Sequence, residues 1–176
     1  MTVTTKMPTV GAKERIQGGV GSQAVADWVY AGLDGVQQSD SLVTSTEVLA
    51  LNTTAIEVVD APGAGKYLMF LGAVVFLDYN SAAYVDDAGE DLVFTYTDKT
   101  GAEISHTLDG SLFDGTADAI VYAYPLNAAA SVLESAVNAP ICLFCKTGNW
   151  ITGDSPLKVR VWTRVLTKTE LEQITG

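Results

Sequence analysis

The run Leu157-Lys158-Val159-Arg160-Val161-Trp162-Thr163-Arg164-Val165 constrains the fold more than any other stretch of the chain. Every odd position is apolar or β-branched, while the even positions hold Lys, Arg, Trp and Arg. A side-chain period of two sends successive residues to opposite faces, so this is a β-strand with one face in a core. Just upstream, Pro140-Ile141-Cys142-Leu143-Phe144-Cys145 reads as a strand that is apolar on both faces. The stretch 146–156 between them is full of turn residues. A fully buried strand, a long loop and a half-buried strand belong at the centre of an all-β domain.

Turn signals recur at regular intervals from Thr46 onward. They predict strands near 47–51, 54–59, 67–78, 92–97, 104–108, 119–123, 131–137, 141–146 and 157–166. Asp98-Lys99-Thr100-Gly101 lies between two alternating runs and reads as a hairpin turn with its glycine at positive φ. Eight or nine short strands separated by such turns describe a β-sandwich, with a jelly roll the leading arrangement. Residues 1–21 show no periodicity. Ser22 opens a short helical pattern over 23–33, with Trp28 and Val29 on its apolar stripe, and 37–45 is polar linker. The expected organisation is an extended arm, 1–46, carrying a short helix, followed by a sandwich, 47–176. Fully extended, the arm reaches on the order of 150 Å, at about 3.3 Å per residue, enough to cross to a neighbouring subunit.

Charge and hydropathy narrow the function classes. The chain is 48% hydrophobic, yet no stretch approaches the roughly 20 apolar residues that span a bilayer. Apolar content in excess of one core points to surface hidden against partners, hence to an oligomer. Net charge is −11, which disfavours direct nucleic-acid binding, because phosphate contacts need clustered Lys and Arg. Between Tyr67 and Cys145 the only Lys or Arg is Lys99, against eleven carboxylates. An acidic body with basic ends can pack electrostatically against copies of itself or against a basic surface.

Catalysis and metal binding find little support. Cys142 and Cys145 are three apart on a strand and so face opposite sides, which forbids a mutual disulfide. With no second Cys pair and a single histidine, His106, the four ligands of a structural zinc site are missing. Buried free thiols in a reducing compartment are the better account, and the N-terminus lacks the apolar core of a signal peptide. The stretch Ala61-Pro62-Gly63-Ala64-Gly65-Lys66-Tyr67 departs from the phosphate-loop pattern at Asp60 and Tyr67 and reads as a turn. Gly153-Asp154-Ser155 resembles a hydrolase signature, but Pro156 intervenes before Leu157 and no helix follows. Any nucleophile would depend on His106, which alternates with Ile104 and Leu108 and is expected on their face. Asp86, Asp87, Glu90 and Asp91 could gather around Ca²⁺, although their spacing is not that of an EF-hand, and an acidic solvated turn is the plainer reading. No enzyme, cofactor or metal site is expected.

The most informative polar constellation is Lys158, Arg160, Trp162 and Arg164 on the outer face of the last strand. Trp and Arg are the usual anchors of protein interfaces. The alternative is simple pairing with carboxylates on neighbouring strands. A second place for contacts is the loop Asn149-Trp150-Ile151, read as exposed.

Several stretches together resemble the head decoration (cement) proteins of tailed bacteriophages. They are 61–66, Leu77-Asp78-Tyr79-Asn80-Ser81-Ala82-Ala83-Tyr84, Asn138-Ala139-Pro140, and Gly148-Asn149 leading to Thr152-Gly153-Asp154-Ser155-Pro156-Leu157-Lys158-Val159-Arg160-Val161. The similarity covers about 56–165, and 1–46 match no known pattern. The ending is also similar to the last strands of trimeric jelly rolls of the tumour-necrosis-factor type. The resemblance implies a homotrimeric, non-enzymatic β-sandwich made in the host cytoplasm and bound to the major capsid protein on the outside of the virion. On that reading the arm, with Trp28 and Val29, clamps neighbouring subunits. A tail-fibre or baseplate tip that uses the Asn149–Ile151 loop is the main alternative. A carbohydrate-binding module built on Tyr79, Tyr84 and Trp150 is a second.

Overall fold

The computed structural model describes residues 35–85, 91–126 and 130–175. The helix expected near 23–33, with Trp28 and Val29, lies outside these residues, as does most of the acidic turn 86–91. The chain divides into two compact units, Met1–Val36 and Gln37–Gly176, and the second carries the fold.

Among the described residues eight strands form: β1 (Val36–Val43), β2 (Ile56–Val59), β3 (Lys66–Leu77), β4 (Asp91–Tyr96), β5 (Leu108–Asp109), β6 (Ala119–Ala123), β7 (Ile141–Cys145) and β8 (Leu157–Thr167). They form two four-stranded sheets, in the orders β1-β8-β3-β6 and β2-β7-β4-β5. In each sheet the outer pairs join strands equidistant from the middle of the chain: β1 with β8, β3 with β6, β2 with β7, β4 with β5. One long antiparallel hairpin rolled into two layers produces this pairing, and that is a jelly roll. The expected all-β sandwich is therefore the fold.

The strand that most constrains the sequence is the spine of the first sheet. β8 pairs along its whole length with β3, from Leu157 opposite Leu77 to Thr167 opposite Lys66. Its odd residues Leu157, Val159, Val161 and Thr163 are buried, as the period of two requires. A bulge in β3 between Phe70 and Gly72 restores the phase of that strand. The second sheet is held by β7, whose Ile141 and Leu143 are fully buried. Across the interior Phe70 of β3 stacks on Phe94 of β4, centroids 5.4 Å apart. The Tyr96 hydroxyl donates across the layers to the Leu68 carbonyl. Neither Cys142 nor Cys145 is in a disulfide and both are buried; Cys145 alone of the two joins the core cluster, as residues on opposite faces should.

Several local expectations are overturned. Residues 37–45, read as linker, mostly form β1, an edge strand polar on both sides, so the sandwich starts inside the segment assigned to the arm. The strand expected at 47–51 is instead a helical turn, α1 (Ser45–Val48). Thr44 and Glu47 close a capping box there: the Thr44 amide donates to Glu47 Oε2 at 2.8 Å and the Glu47 amide donates to Thr44 Oγ1 at 3.4 Å. The strand expected at 131–137 is α2 (Ala130–Ser135). Val132, Leu133 and Ala136 all reach the core, and that spacing suits one helical face better than one side of a strand. At 104–108 only isolated bridges form, with β5 beginning at Leu108. In the 98–101 turn the positive φ belongs to Thr97 (+72°), not Gly101. Glycine is needed at 101 for another reason: a Cβ there would lie 1.6 Å from the Tyr96 carbonyl oxygen. A helix that the sequence reading did not foresee, α3 (Lys168–Thr175), follows β8.

Candidate interaction surface

The outer face of the β1-β8-β3-β6 sheet is the leading candidate, because it is apolar and only half covered. At one end Leu171 of α3 closes over Tyr67 and Leu166. Toward the other end nothing among the described residues lies over the sheet. Register aligns the open half in rows: Ile120 beside Phe76 beside Lys158, then Tyr122 beside Val74 beside Arg160. Trp162, opposite Gly72, begins the next row. Ile120 is 52% exposed, Tyr122 56% and Leu42 60%. An open groove of about 650 Å³ runs here, lined by Asp40, Leu42, Val74, Phe76, Lys158, Arg160 and Trp162. Apolar residues scattered singly on a surface are ordinary, whereas a contiguous apolar face marks a contact site.

The sequence-derived cationic row sits where its alternation places it, and the structure supplies its partners. Arg160 grips Asp40 of β1 through two nitrogens, Nε to Oδ1 at 2.7 Å and Nη2 to Oδ2 at 2.9 Å. Those bonds hold the Asp40 carboxyl below its ordinary range. Lys158 Nζ lies 2.7 Å from Asp78, just past the end of β3, and 5.6 Å from the centre of the Phe76 ring. Both ion pairs stay about half exposed, where such pairs contribute little to stability. The Glu170 carboxyl of α3 is held below its ordinary range chiefly by the Thr167 amide and hydroxyl, with a smaller contribution from the half-buried Arg164. Both readings of the row thus have a share: Lys158 and Arg160 are paired locally, and Trp162 remains a half-buried groove residue.

The loop expected to be exposed at Asn149-Trp150-Ile151 is mostly interior. Trp150 is 2% exposed and sits between Tyr84 (centroids 5.6 Å apart) and Phe113 (6.0 Å). Asn149 is an anchor: its Oδ1 accepts from the Asn52 amide at 2.8 Å and its Nδ2 donates to Thr53 Oγ1 at 3.1 Å. Only Ile151 projects, 61% exposed. Tyr84 is 1% exposed, so two of the three aromatics proposed as a sugar platform are core residues.

Gly153-Asp154-Ser155 proves to be a clamp on the loop after β3. Asp154 Oδ1 accepts from the Ser81 and Ala82 amides at 3.1 and 2.9 Å, and Oδ2 accepts from Asn80 Nδ2 at 3.0 Å and Ser81 Oγ at 2.5 Å. These bonds, led by the Ser81 hydroxyl, lower the Asp154 carboxyl to about 2. Ser155 Oγ accepts from the Asn80 amide at 3.0 Å, and the Tyr84 hydroxyl donates to the Ser155 carbonyl. Ser155 is fully buried and His106 is exposed. His106 does not share the buried face of Ile104 and Leu108, because that segment is not a regular strand. The 61–66 stretch is likewise a turn, tied down where Asn138 Oδ1 accepts from the Gly63 amide at 2.9 Å. Among the described residues no cluster of His, Cys, Asp or Glu could hold a metal ion, and no helix is long and apolar enough to cross a membrane.

What sequence reasoning missed is the extent of the face. Residues 119–123 are apolar on both sides, so no alternation reveals which side chains stay outside, and β1 is too polar to read as a strand. The chain matches no protein-family model, no curated protein and no solved structure.

Proposed function

We propose that this chain is a structural virion protein, a capsid decoration or cement protein that binds the outside of a tailed-phage head as a homotrimer and reinforces contacts between capsomers. The observation that carries the reading is the open half of the first sheet, where Phe76, Val74, Trp162, Ile120 and Tyr122 present apolar surface on a rigid jelly roll. Such a face suits a protein whose work is adhesion. The sequence resemblance to head decoration proteins supplies the partner, the major capsid protein. A shell strained by packaged DNA gains from many bridging copies, since weak contacts multiply when they are held on one particle. The alternatives lose their residues: Trp150 and Tyr84 are interior, which leaves a receptor-binding tip with Ile151 and a sugar platform with Tyr79.

The test is the copy number of this chain per particle, measured by quantitative mass spectrometry against the major capsid protein. A ratio near one, or a simple fraction of it, supports decoration. A handful of copies moves the protein to the tail, and absence from particles overturns the virion reading.

A further inference from the structure

Every open sheet has edges, and three of the four here are guarded. β1 carries Asp40, β2 is four residues long with Glu57 at a register break, and β5 is two residues long and ends in Asp109. Charge, irregularity and brevity are the ordinary defences against strand addition. β6, the last strand of the first sheet, has none of them: Ala119-Ile120-Val121-Tyr122-Ala123 contains no charge, proline or bulge. Its outward side chains, Ile120 and Tyr122, are about half exposed, and even the inward-facing Val121 is only partly buried.

The direction of the free backbone groups follows from two contacts. A Cβ on Gly72 of β3 would lie 3.3 Å from the Ala123 carbonyl oxygen, so the backbone of Ala123 faces β3. The Tyr124 carbonyl, one residue on, accepts from the His106 amide at 2.9 Å on the opposite side. Alternation then turns the N–H and C=O of Ile120 and Tyr122 toward the open edge, and those of Ala119, Val121 and Ala123 toward β3. His106 fills the place facing Tyr124, so among the described residues the stretch left open is Ala119–Ala123.

We propose that this edge pairs with the same edge of a second copy, antiparallel about a two-fold axis through Val121. In that register Ile120 of one copy faces Tyr122 of the other, and the two exchange both backbone hydrogen bonds, so the free edge groups satisfy one another. The same step sets a β-branched side chain against an aromatic ring on both sides of the axis, a favourable cross-strand pair. The closed two-fold contact is self-complementary and stops at two strands. Charge points the same way: copies that carry −11 each repel one another, and a strand edge without a charged residue is where they can approach.

The test uses the full chain in sedimentation velocity over a range of concentrations, with two variants. The expected result is an assembly with an even number of copies, whose mass Ile120→Lys halves without altering the circular dichroism spectrum. Val121 faces its symmetry mate at a non-hydrogen-bonded position, where Cα atoms are about 4.5 Å apart, within disulfide reach. Val121→Cys is therefore expected to give a reducible covalent dimer under mild oxidation. A monomeric wild-type chain overturns the pairing, as would occur if a strand of a different protein took this edge. So does a three-chain particle unchanged by Ile120→Lys, or a Val121→Cys protein that stays uncrosslinked. The three-chain outcome would leave the head-decoration reading standing, so the two proposals fail separately.

Discussion

At the scale of single residues, Gly153 and Asp154 show how a motif that looks chemical can be mechanical. Gly153 has φ +136°, and a Cβ there would lie 2.2 Å from the Tyr84 ring, which is itself packed on Trp150. Gly153→Ala is expected to cost about 2–5 kcal/mol in urea denaturation, because an overpacking of roughly 1–3 kcal/mol adds to a positive-φ backbone penalty of roughly 1–2 kcal/mol. Gly63→Ala, with φ +98° but open space around the missing Cβ, carries only the left-handed backbone penalty of roughly 1–2 kcal/mol. Equal losses at the two sites would refute the steric account of Gly153. Asp154 adds a pH signature. Its folded carboxyl titrates near 2, below the ordinary 3.8, so its contribution is fully present above the unfolded value and fades as pH falls through the folded one. The melting temperatures of wild type and Asp154→Ala should differ by a constant amount above about pH 5 and converge toward pH 2. A gap that is unchanged at pH 2 would mean that the carboxylate charge is not what holds the 80–82 loop.

At the scale of elements, the two faces of each strand set the energetic contrast. Leu143 on β7 is fully buried and Leu42 on β1 is 60% exposed, although both are strand leucines. Leu143→Ala should lose about 2–5 kcal/mol, from transfer and the cavity left behind. Leu42→Ala should stay within about 0.5 kcal/mol. Chemical denaturation of both variants measures this, and a large loss for Leu42→Ala would show that the outer face is already covered within one chain. Elements were legible wherever one periodicity dominated. β8, β3, β6 and β7 stand within a residue or two of their expected bounds, because burial on one or both faces leaves a long apolar imprint. The failures share a cause. α2 is only six residues long, too brief for its helical spacing to stand out, and α1 is a single turn announced only by its Thr44-x-x-Glu47 capping box. α3 is announced by a second such box, in which the Thr167 amide donates to Glu170 Oε2 at 2.8 Å and the Glu170 amide donates back to Thr167 Oγ1 at 3.3 Å.

At the scale of the molecule, the jelly roll explains how strands far apart in the chain come to present one definite surface. Rolling one hairpin into two layers brings β1 to β8 and β3 to β6, and so assembles one outer face from residues 40 to 162. The all-β class, the half-buried last strand and the placing of Cys142 and Cys145 on opposite faces were determined by the sequence, because each rests on local period, composition or spacing. Which of two apolar faces of β6 stays outside, that Trp150 belongs to the core, that Asp154 grips the 80–82 loop and that Arg160 meets Asp40 were decided only by tertiary structure. Those outcomes depend on pairing between residues far apart in the chain. Local periodicity records that a side chain is apolar, but only the neighbours brought to it by the fold determine whether it is covered.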